Sequence, residues 1–592
     1  DHAVRCIRET RDEDIDLSKL PVDDTETYRL IARADTVGIF QMQSDGMRKL
    51  LTQLKPVAFE DLVAVLALFR PGPLDSGMVD QYIKRRNGEE AVRFPDDSMA
   101  SILRETHGVI VYQEQVMQIA QVYAGYTLGE ADNLRRAMGK KKAEVMAVER
   151  QRFMDGAKTA GHRALDAEAI FQQVETFAAY GFNKSHSAAY ALLSYQTAYL
   201  KAHYPREFLA ALMTIEMADT DKTYKNMADC RARGIRVLPP DANSSEIGFT
   251  VSEEGIRFGL GAVKGIGEKA IEMILEARQA GPFDSLGDFL IRSAGSQINR
   301  RTVEGLIKSG AFDLVEPGRS RLIAALDPTM AWASRVREDR AAGQMGLFTG
   351  GGTNSEAEPE LPDIIEWDNA ARLEAEHEVV GFYISGHPLD RYTADLGLVG
   401  ATTTSALGKA RDQSRVAMAG VTNTVKRKNS RKGDRYATFN LEDREGVVEV
   451  IAWPKVYSQC ETAIVGREPL FVTGTLETVD TGREAEGGNG DPVGRKAQVI
   501  ATEIIPLTEA RRRRARSVDI RIEAGLFDPA RLAQLKDAMR KYPGACRPYL
   551  RVTRPGASEA IIELPADLAV DPSDRFLQEV ESLAGPGSTV VK

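Results

Sequence analysis

Cysteine, histidine and long apolar runs are scarce in this chain of 592 residues, and each shortage excludes a class of protein. Its four cysteines lie far apart without CxxC spacing, which argues against a zinc ribbon or a disulfide scaffold and suits a reducing cytosol. None of the seven histidines forms an HxxxH pair, so we expect no metal cage. No apolar run approaches the roughly 18–20 residues that cross a bilayer, so we expect no membrane partner.

Two further signals are missing. The chain has no GxxxxGK[ST] phosphate loop, which speaks against a nucleoside-triphosphate-driven motor such as a helicase. Its start, Asp1-His-Ala-Val-Arg-Cys, has neither an initiator Met nor an apolar signal segment, so we expect a chain cut from something longer. A net charge of -9 does not by itself indicate a nucleic-acid-binding protein. The local charge is more informative, because binding to nucleic acid depends on the counterions released where the protein surface faces the phosphates.

The chain is too long for one hydrophobic core, and its periodicity changes along its length. Residues 1–240 show helical spacing, as in Val116–Tyr123 and Ala188–Tyr204, and a strand at Gly255–Phe258 precedes two helical pairs that end near residue 325. Residues 349–363 form a polar linker. Five short β-rich runs follow, typical of a small barrel of the OB type: Val416–Val421, Tyr436–Leu441, Val447–Trp453, Leu470–Leu476 and Ala497–Ile504.

We therefore predict a multidomain fold: a mainly α region with a helix-hairpin-helix, an all-β OB-type barrel and a small α+β C-terminal domain. The predicted boundaries are 1–244 for the first α region, 245–330 for the helix-hairpin-helix region, 331–410 for a linker region, 411–508 for the barrel and 515–592 for the last domain.

The densest cationic element is Arg135-Arg136-Ala-Met-Gly-Lys140-Lys141-Lys142. Cations near a helix C-terminus are often only a solvated helix end. Paired arginines suit a polyphosphate better, because guanidinium forks bind phosphate oxygens bidentately. We predict that Arg135, Arg136 and Lys140 bind phosphate.

Two other segments carry candidate anion sites. In Tyr180–Tyr190, the residues Asn183, Ser185 and Ser187 are good N-caps before a long helix, and Lys184 and His186 stand beside that helix N-terminus. Caps and a surface histidine explain the segment equally well. In Leu68–Leu74, Pro and Gly fix a rigid turn with Arg70 at its rim, and a structural turn and a functional arginine remain open alternatives.

Gly261–Ala270 imitates a dinucleotide fingerprint, but no βαβ unit follows it. A helix-hairpin-helix fits better, because Gly265 and Gly267 allow a tight hairpin whose N–H groups face a DNA phosphate, with Lys264 and Lys269 beside them. We predict a second, degenerate copy at Ile298–Gly305, which would contribute Arg300 and Arg301.

The barrel region is locally basic, with nine Lys/Arg against two Asp in residues 409–435, a net of +7 (9 - 2). Tyr436 and Phe439 follow on the next strand, and basic loops near aromatics are the expected layout for single-stranded nucleic acid. An OB fold kept only as a spacer is the alternative. The predicted DNA-binding residues here are Lys426, Arg427, Lys428, Arg431, Lys432 and Arg435.

A short peptide at the edge of the linker has a different character. Gln344 precedes the aliphatic–aromatic pair Leu347-Phe348, and this pattern resembles a peptide that binds a sliding clamp. The apolar pair would fill a pocket, and Gln344 would fix its orientation.

Together these residues resemble the alpha subunits of bacterial DNA polymerase III, the C-family replicative polymerases. The resemblance covers essentially the whole chain. Its motifs are Gly38–Met47, Leu68–Leu74, Tyr112–Met117, Leu134–Lys142, Gly181–Ala191 and Gly381–Pro388.

The resemblance implies a function and roles for individual residues. Residues 1–244 would be a fingers domain, in which Arg135 and Arg136 hold the incoming deoxynucleoside triphosphate with Lys140 nearby. Lys184 would lie near phosphate and His186 near the sugar. Arg70 and Gln41–Ser44 would border the nascent pair or primer. Residues 518–592 would bind a clamp-loader subunit. A sliding clamp, a proofreading exonuclease subunit, primer–template DNA and a bacterial cytoplasmic location are also implied.

The reaction implied is attack of a primer 3′-hydroxyl on the α-phosphate with two Mg²⁺ ions. We find no matching Asp-x-Asp strand here, so we expect the metal ligands outside this chain, no catalytic or metal-binding residue within it, and no polymerisation by the chain alone. The alternative is a non-catalytic DNA-binding scaffold built from helix-hairpin-helix and OB modules. It would leave the clusters at Arg135–Lys142 and Gly181–Tyr190 without a role.

Overall fold

The computed structural model describes the chain in segments, and these form two compact units. The described residues are 1–140, 143–178, 181–293, 295, 297–341, 357–407, 410–430, 433–466, 468–480, 495–525, 527–554 and 559–592. Within this part of the chain, the first unit comprises Asp1–Ala262 and Ile266–Ala280. The second comprises Val263–Gly265, Gly281–Asp480 and Arg495–Lys592.

The first unit is mainly helical, as predicted. Its helices are α1 (His2–Arg11), α2 (Thr25–Ala32), α3 (Asp45–Leu54), α4 (Phe59–Leu68), α5 (Pro71–Asp75), α6 (Met78–Arg86), α7 (Ala100–Leu103), α8 (Gln113–Ala124), α9 (Leu128–Lys140), α10 (Ala143–Thr159), α11 (Ala164–Ala178), α12 (Lys184–His203), α13 (Pro205–Glu216), α14 (Thr220–Ala232) and α15 (Glu268–Arg278).

The helices of the first unit enclose two cores. In one, α12 buries Ala191, Tyr195 and Ala198 among the apolar residues of α2, α3 and α4. In the other, α8 to α11 pack around Phe153 and Phe171. The first core fixes α12, and with it the segment in which the sequence placed Lys184 and His186.

A small sheet completes the first unit. Its strands are β1 (Val237–Leu238), β2 (Thr250–Ser252) and β3 (Gly255–Arg257), in the order β1-β3-β2. β3 pairs parallel to β1 and antiparallel to β2. The strand predicted at Gly255–Phe258 is thus present.

The second unit begins with helices α16 (Leu286–Arg292), α17 (Arg300–Ser309), α18 (Arg319–Ala341), α19 (Asn369–Val380), α20 (Thr393–Val399) and α21 (Thr404–Leu407). In α19, the buried Glu376 accepts hydrogen bonds from Ile384 N at 2.9 Å and from Ser385 N at 3.0 Å. Arg319 Nη2 lies 3.6 Å from the other oxygen of Glu376. This carboxylate therefore folds the chain after α19 back onto the helix.

The second unit contains a closed five-stranded barrel. Its strands are β4 (Arg415–Asn429), β5 (Arg435–Glu442), β6 (Val447–Ala452), β7 (Leu470–Asp480) and β8 (Arg495–Pro506), and α22 (Pro454–Val465) connects β6 to β7. They close in the order β4-β5-β6-β8-β7 around a core that includes Phe439, Val450 and Val472. The predicted five-stranded barrel of the OB type is confirmed.

The C-terminal part is a small α+β domain, as predicted. It follows α23 (Leu507–Arg514) and contains β9 (Ser517–Glu523), α24 (Pro529–Lys541), β10 (Pro543–Thr553), β11 (Glu559–Glu563), α25 (Asp574–Ala584) and β12 (Thr589–Val591). The sheet order is β11-β10-β9-β12, with β9 and β10 parallel. Arg511 on α23 is buried and pairs with Asp395 at 3.0 Å and Asp574 at 2.5 Å, so this basic run begins with a structural cation.

Among the described residues, none of the helices is long and apolar enough to cross a membrane. The predicted linker region, 331–410, includes α19, α20 and α21. The five predicted domain boundaries stay predictions.

Candidate nucleotide and nucleic-acid sites

The paired arginines of α9 share one carboxylate. Arg135 Nη2 lies 2.8 Å from Asp132 Oδ1, and Arg136 Nη2 lies 2.8 Å from Asp132 Oδ2. The spacings of three and four residues place all three side chains on one face of the helix. The hydrogen bond from Arg135 and the charges of both guanidinium groups lower the pKa of Asp132. The two cations are therefore held side by side at the surface.

Gln113, the first residue of α8, connects Arg135 to the other predicted segment. Its Oε1 accepts a hydrogen bond from Arg135 Nη1 at 3.3 Å, and its Nε2 donates one to Gly181 O at 3.1 Å. Gln113 N donates to Phe182 O at 2.9 Å, and Phe182 N donates to Val111 O at 3.1 Å. Gln113 thus brings Arg135 next to the segment before α12, although the two are far apart in the sequence.

Two carboxylates hold the N-terminus of α12. Glu114 Oε2 accepts from Lys184 N at 3.0 Å, and Glu114 Oε1 accepts from Asn183 Nδ2 at 3.1 Å. Asn183 is the N-cap, accepting from His186 N at 2.9 Å, as its residue type predicted. Lys184 Nζ lies 2.7 Å from Glu105 Oε2. Carboxylates of Glu114 and Glu105 therefore bind the donor groups at the N-terminus of α12.

Arg70 and His186 both contact the ring of Phe182. The Arg70 guanidinium lies 4.4 Å from the centroid of the Phe182 ring, and the His186 ring lies 5.5 Å from it. Arg70 Nε donates to Ala67 O at 2.8 Å, which fixes the side chain at the end of α4. Arg70 and His186 therefore both pack against Phe182, whose backbone Gln113 binds, and Gln113 also binds Arg135. Lys184 Nζ lies 5.5 Å from the centroid of the Tyr112 ring. We name Arg70, Arg135, Arg136, Lys184 and His186 the cationic cluster.

The glycine hairpin has the backbone that the sequence predicted. Gly265 lies in the left-handed region with φ +84°, and Gly267 is the extended N-cap of α15, with Lys269 in the first turn of that helix. A Cβ built on Gly265 would lie 3.4 Å from Arg301 Nε, so the second predicted copy does supply a cation beside the hairpin. Lys264 N donates to Val379 O at 2.7 Å, which anchors the hairpin from one side.

Arg300, the other arginine of the second predicted hairpin copy, forms two ion pairs. Arg300 Nη1 lies 2.6 Å from Glu304 and its Nε lies 2.9 Å from Asp327. Arg300 opens α17 after the N-cap Asn299, and Gly305 lies inside the same helix. Ile298–Gly305 is therefore the start of a helix, and its predicted DNA contact stays a prediction.

In the barrel, the predicted cations stand on the outer end of β4. Lys426 and Lys428 pair in register with Thr438 and Tyr436 of β5, beyond a bulge between Asn423 and Lys426, and Arg435 is the first residue of β5. Exposed residues occupy Lys426–Asn429, so this end of the hairpin presents its charge to solvent. We name Lys426–Asn429 and Arg435–Tyr436 the barrel arm.

The aromatic partner of the barrel arm is one that the sequence reasoning missed. Phe439, expected near the nucleic acid, is 1% exposed and points into the barrel core, because alternate residues of β5 face inward. Trp453 instead lies beside Tyr436 with ring centroids 5.0 Å apart, and it is 45% exposed. The half-buried Tyr436 and the exposed Trp453 thus form an aromatic pair beside the barrel arm, where the sequence had placed Phe439.

The acidic stretch near the start of the chain is used in local pairing. Asp14 lies 2.5 Å from Arg8, and Asp16 caps the following turn by accepting from Ser18 N at 3.0 Å. In the part of the chain that the structure describes, no group of three or more His, Cys, Asp or Glu side chains could hold a metal ion.

Several predicted residues fall outside the described part of the chain. They are the side chain of Lys140, together with Arg431, Lys432, Gln344, Leu347 and Phe348. Their roles stay predictions.

Two family models match parts of this chain. Residues 1–161 match the family model described as the bacterial DNA polymerase III alpha subunit finger domain, and residues 234–322 match that of a helix-hairpin-helix motif. The cationic cluster begins inside the first match and the glycine hairpin lies inside the second.

The chain is also similar to whole polymerase subunits. It is 40% identical to the DNA polymerase III subunit alpha of Thermus aquaticus over 94% of this chain and 44% of the relative, and 40% identical to that of Vibrio cholerae over 96% and 49%. The subunit of Escherichia coli K12 is 38% identical over 96% of this chain and 49% of the relative. The resemblance predicted from the motifs is confirmed, and the chain spans about half the length of these relatives.

Proposed function

We propose that this chain is the part of a bacterial replicative DNA polymerase that grips the incoming nucleotide and the DNA. The whole enzyme would add deoxynucleotides to a primer 3′ end under the direction of a template. The observation that carries the proposal is the cationic cluster, in which Gln113 joins Arg135 to the segment that opens α12. Similarity of nearly the whole chain to alpha subunits of DNA polymerase III supports it.

The cationic cluster has the donors that a triphosphate needs. Arg135 and Arg136 offer two guanidinium forks from one helix face, and α12 offers its N-terminus with Lys184. Asp132, Glu105 and Glu114 now accept from these groups. A triphosphate carries more charge than a single carboxylate, so it would replace them as the acceptor, while the carboxylates keep the cations in place beforehand.

The DNA contacts proposed are the glycine hairpin for duplex phosphates and the barrel arm for single-stranded template. Lys264, Arg301 and the hairpin backbone suit a phosphate without reading sequence. The barrel arm combines cations with the Tyr436–Trp453 pair, which suits backbone tracking with base stacking.

The reaction itself requires groups beyond these. The described residues offer no set of metal ligands, so they do not fit the Mg²⁺ ions of a polymerase, and we propose that the ligands lie elsewhere in the enzyme. This chain would then bind and orient the nucleotide and DNA without forming the phosphodiester bond. The sliding clamp at Gln344–Phe348, a clamp-loader subunit at residues 518–592 and a proofreading exonuclease are the proposed protein partners.

A non-catalytic DNA-binding scaffold is the second candidate, supported by the helix-hairpin-helix match and the closed five-stranded barrel. The two candidates differ at Lys184, which only the polymerase uses. We would measure acetylation of Lys184 with and without a deoxynucleoside triphosphate, using Lys536 on the exposed face of α24 as the control. The polymerase proposal predicts protection of Lys184 alone, and equal labelling of Lys184 in both samples would favour the scaffold.

A further inference from the structure

Phe40 has an exposed ring on a backbone that is held from both sides. The residue is 36% exposed, yet Phe40 N donates to Thr197 Oγ1 at 3.2 Å and Phe40 O accepts from Ser194 Oγ at 2.8 Å. Both hydroxyls belong to α12, the helix that opens at the cationic cluster. Because its backbone is already fixed, Phe40 loses less conformational freedom when a planar ligand packs against its ring than a residue of a free loop would.

The loop that carries Phe40 is also anchored at its base. Lys201, again on α12, is 0% exposed, donates to Val37 O at 2.8 Å and lies 3.2 Å from Asp35 Oδ1. Gln41 adopts a left-handed backbone with φ +59°. A non-glycine residue persists in this conformation where surrounding contacts enforce it, and such residues cluster at functional sites.

Phe40 ends a row of rings that starts at the cationic cluster. Its ring centroid lies 5.4 Å from that of Tyr190, which lies 4.4 Å from His186, which in turn lies 5.5 Å from Phe182. His186 and Tyr190 are one helical turn apart on α12, and Ser194 and Thr197 continue the same face. The row therefore runs from the phosphate-binding end of the site to an exposed aromatic surface.

We propose that the Phe40 ring is a stacking surface for the nucleobase of the nucleotide whose triphosphate binds the cationic cluster. This inference rests on the proposed function and adds a residue to it. Phenylalanine has no hydrogen-bonding group, and every base has a π-face, so Phe40 contributes affinity and orientation without reading the base edges. Base choice is left to pairing with the template.

Two probes separate the base from the phosphates. The chain would be titrated calorimetrically with dATP and with inorganic tripolyphosphate, which has the phosphates but no base. Because stacking on an aromatic side chain is worth about 1–3 kcal/mol per base, Phe40→Leu should weaken dATP binding about fivefold or more and leave tripolyphosphate binding unchanged. Phe40→Tyr should retain the wild-type affinity for both probes.

The controls distinguish three failures. Leu165→Ala, which truncates another exposed apolar side chain of the same unit, should change neither affinity. Unchanged dATP binding by Phe40→Leu, or equal weakening of both probes, would overturn the role of Phe40 and leave the nucleotide site standing. If neither probe binds the wild-type chain, the nucleotide site of the proposed function fails, and the stacking role fails with it.

Discussion

Gln113 Oε1 accepts a hydrogen bond from Arg135 Nη1 at 3.3 Å, and this contact makes one site from two segments. The same residue binds Gly181 and Phe182 through its other polar groups. Arg135 and the start of α12 are therefore oriented by one side chain, which neither segment contains. A polyphosphate that bridges them would find its donors already arranged.

Replacing Arg135 tests the phosphate grip. We expect Arg135→Ala to weaken deoxynucleoside triphosphate binding by about tenfold to a hundredfold, because a hydrogen bond to a charged group contributes about 1.5–3 kcal/mol. Arg135→Lys should recover only part of this, since an ammonium group lacks the planar fork. Calorimetric titration measures both, with Arg150→Ala, from an exposed pair with Glu168, as the control. Equal affinities for all variants would remove Arg135 from the site.

The buried Lys201 should be essential for the loop that carries Phe40. Its Nζ lies 2.8 Å from Asp229 Oδ2 and is fully buried, so Lys201→Met would leave Asp229 without this partner. Breaking a buried pair from one side costs about 3–5 kcal/mol. Amide hydrogen exchange along α12 reports the local loss. Lys222→Met, from an exposed cluster, should change little, and slow exchange retained in Lys201→Met would contradict the assignment.

Acid should weaken the first core through Asp61. Burial acts to raise the pKa of Asp61, but Arg86 and the N–H groups of Val57 and Ala58 outweigh it, and the net pKa is below 3.8. The stabilisation is therefore complete above the unfolded-state pKa and is lost as the pH falls through the lower folded-state value. At pH 7, hydrogen exchange at α4 should show that Asp61→Asn is less stable than the wild type. This difference in stability should shrink once the pH falls below about 3.8. If the difference in stability did not depend on pH, the ionisation of Asp61 would be excluded as its cause.

The barrel arm should bind single strands through two separable effects. Replacing Lys426, Arg427 and Lys428 by Ala should lower the slope of log affinity against log salt by about 2, because each phosphate contact on a single strand contributes about 0.7. Trp453→Ala should weaken oligothymidylate binding about fivefold or more at every salt concentration without changing the slope. Fluorescence anisotropy measures both, with Lys536→Ala as the control. An unchanged slope in the triple variant would locate the DNA elsewhere.

The sequence predicted elements and motifs better than it predicted their partners. The five barrel strands, the Asn183 cap and the glycine hairpin follow from local periodicity and residue type, which act over a few residues. Glu105, Glu114 and Gln113 could not be assigned to Lys184 or Arg135, because these pairs form only once distant helices pack. The sequence placed Trp453 at the end of a strand. In the structure Trp453 lies just beyond β6, as the N-cap of α22, and this position exposes its side chain.

Primer extension tests the central claim most directly. A polymerase of the relatives' full length that contains this chain should extend a primer, whereas this chain alone should not. The double variant Arg135→Ala/Arg136→Ala of that polymerase should bind primer–template normally and lose at least about a hundredfold in extension at limiting nucleotide. Extension by this chain alone, or undiminished extension by the double variant, would contradict the account.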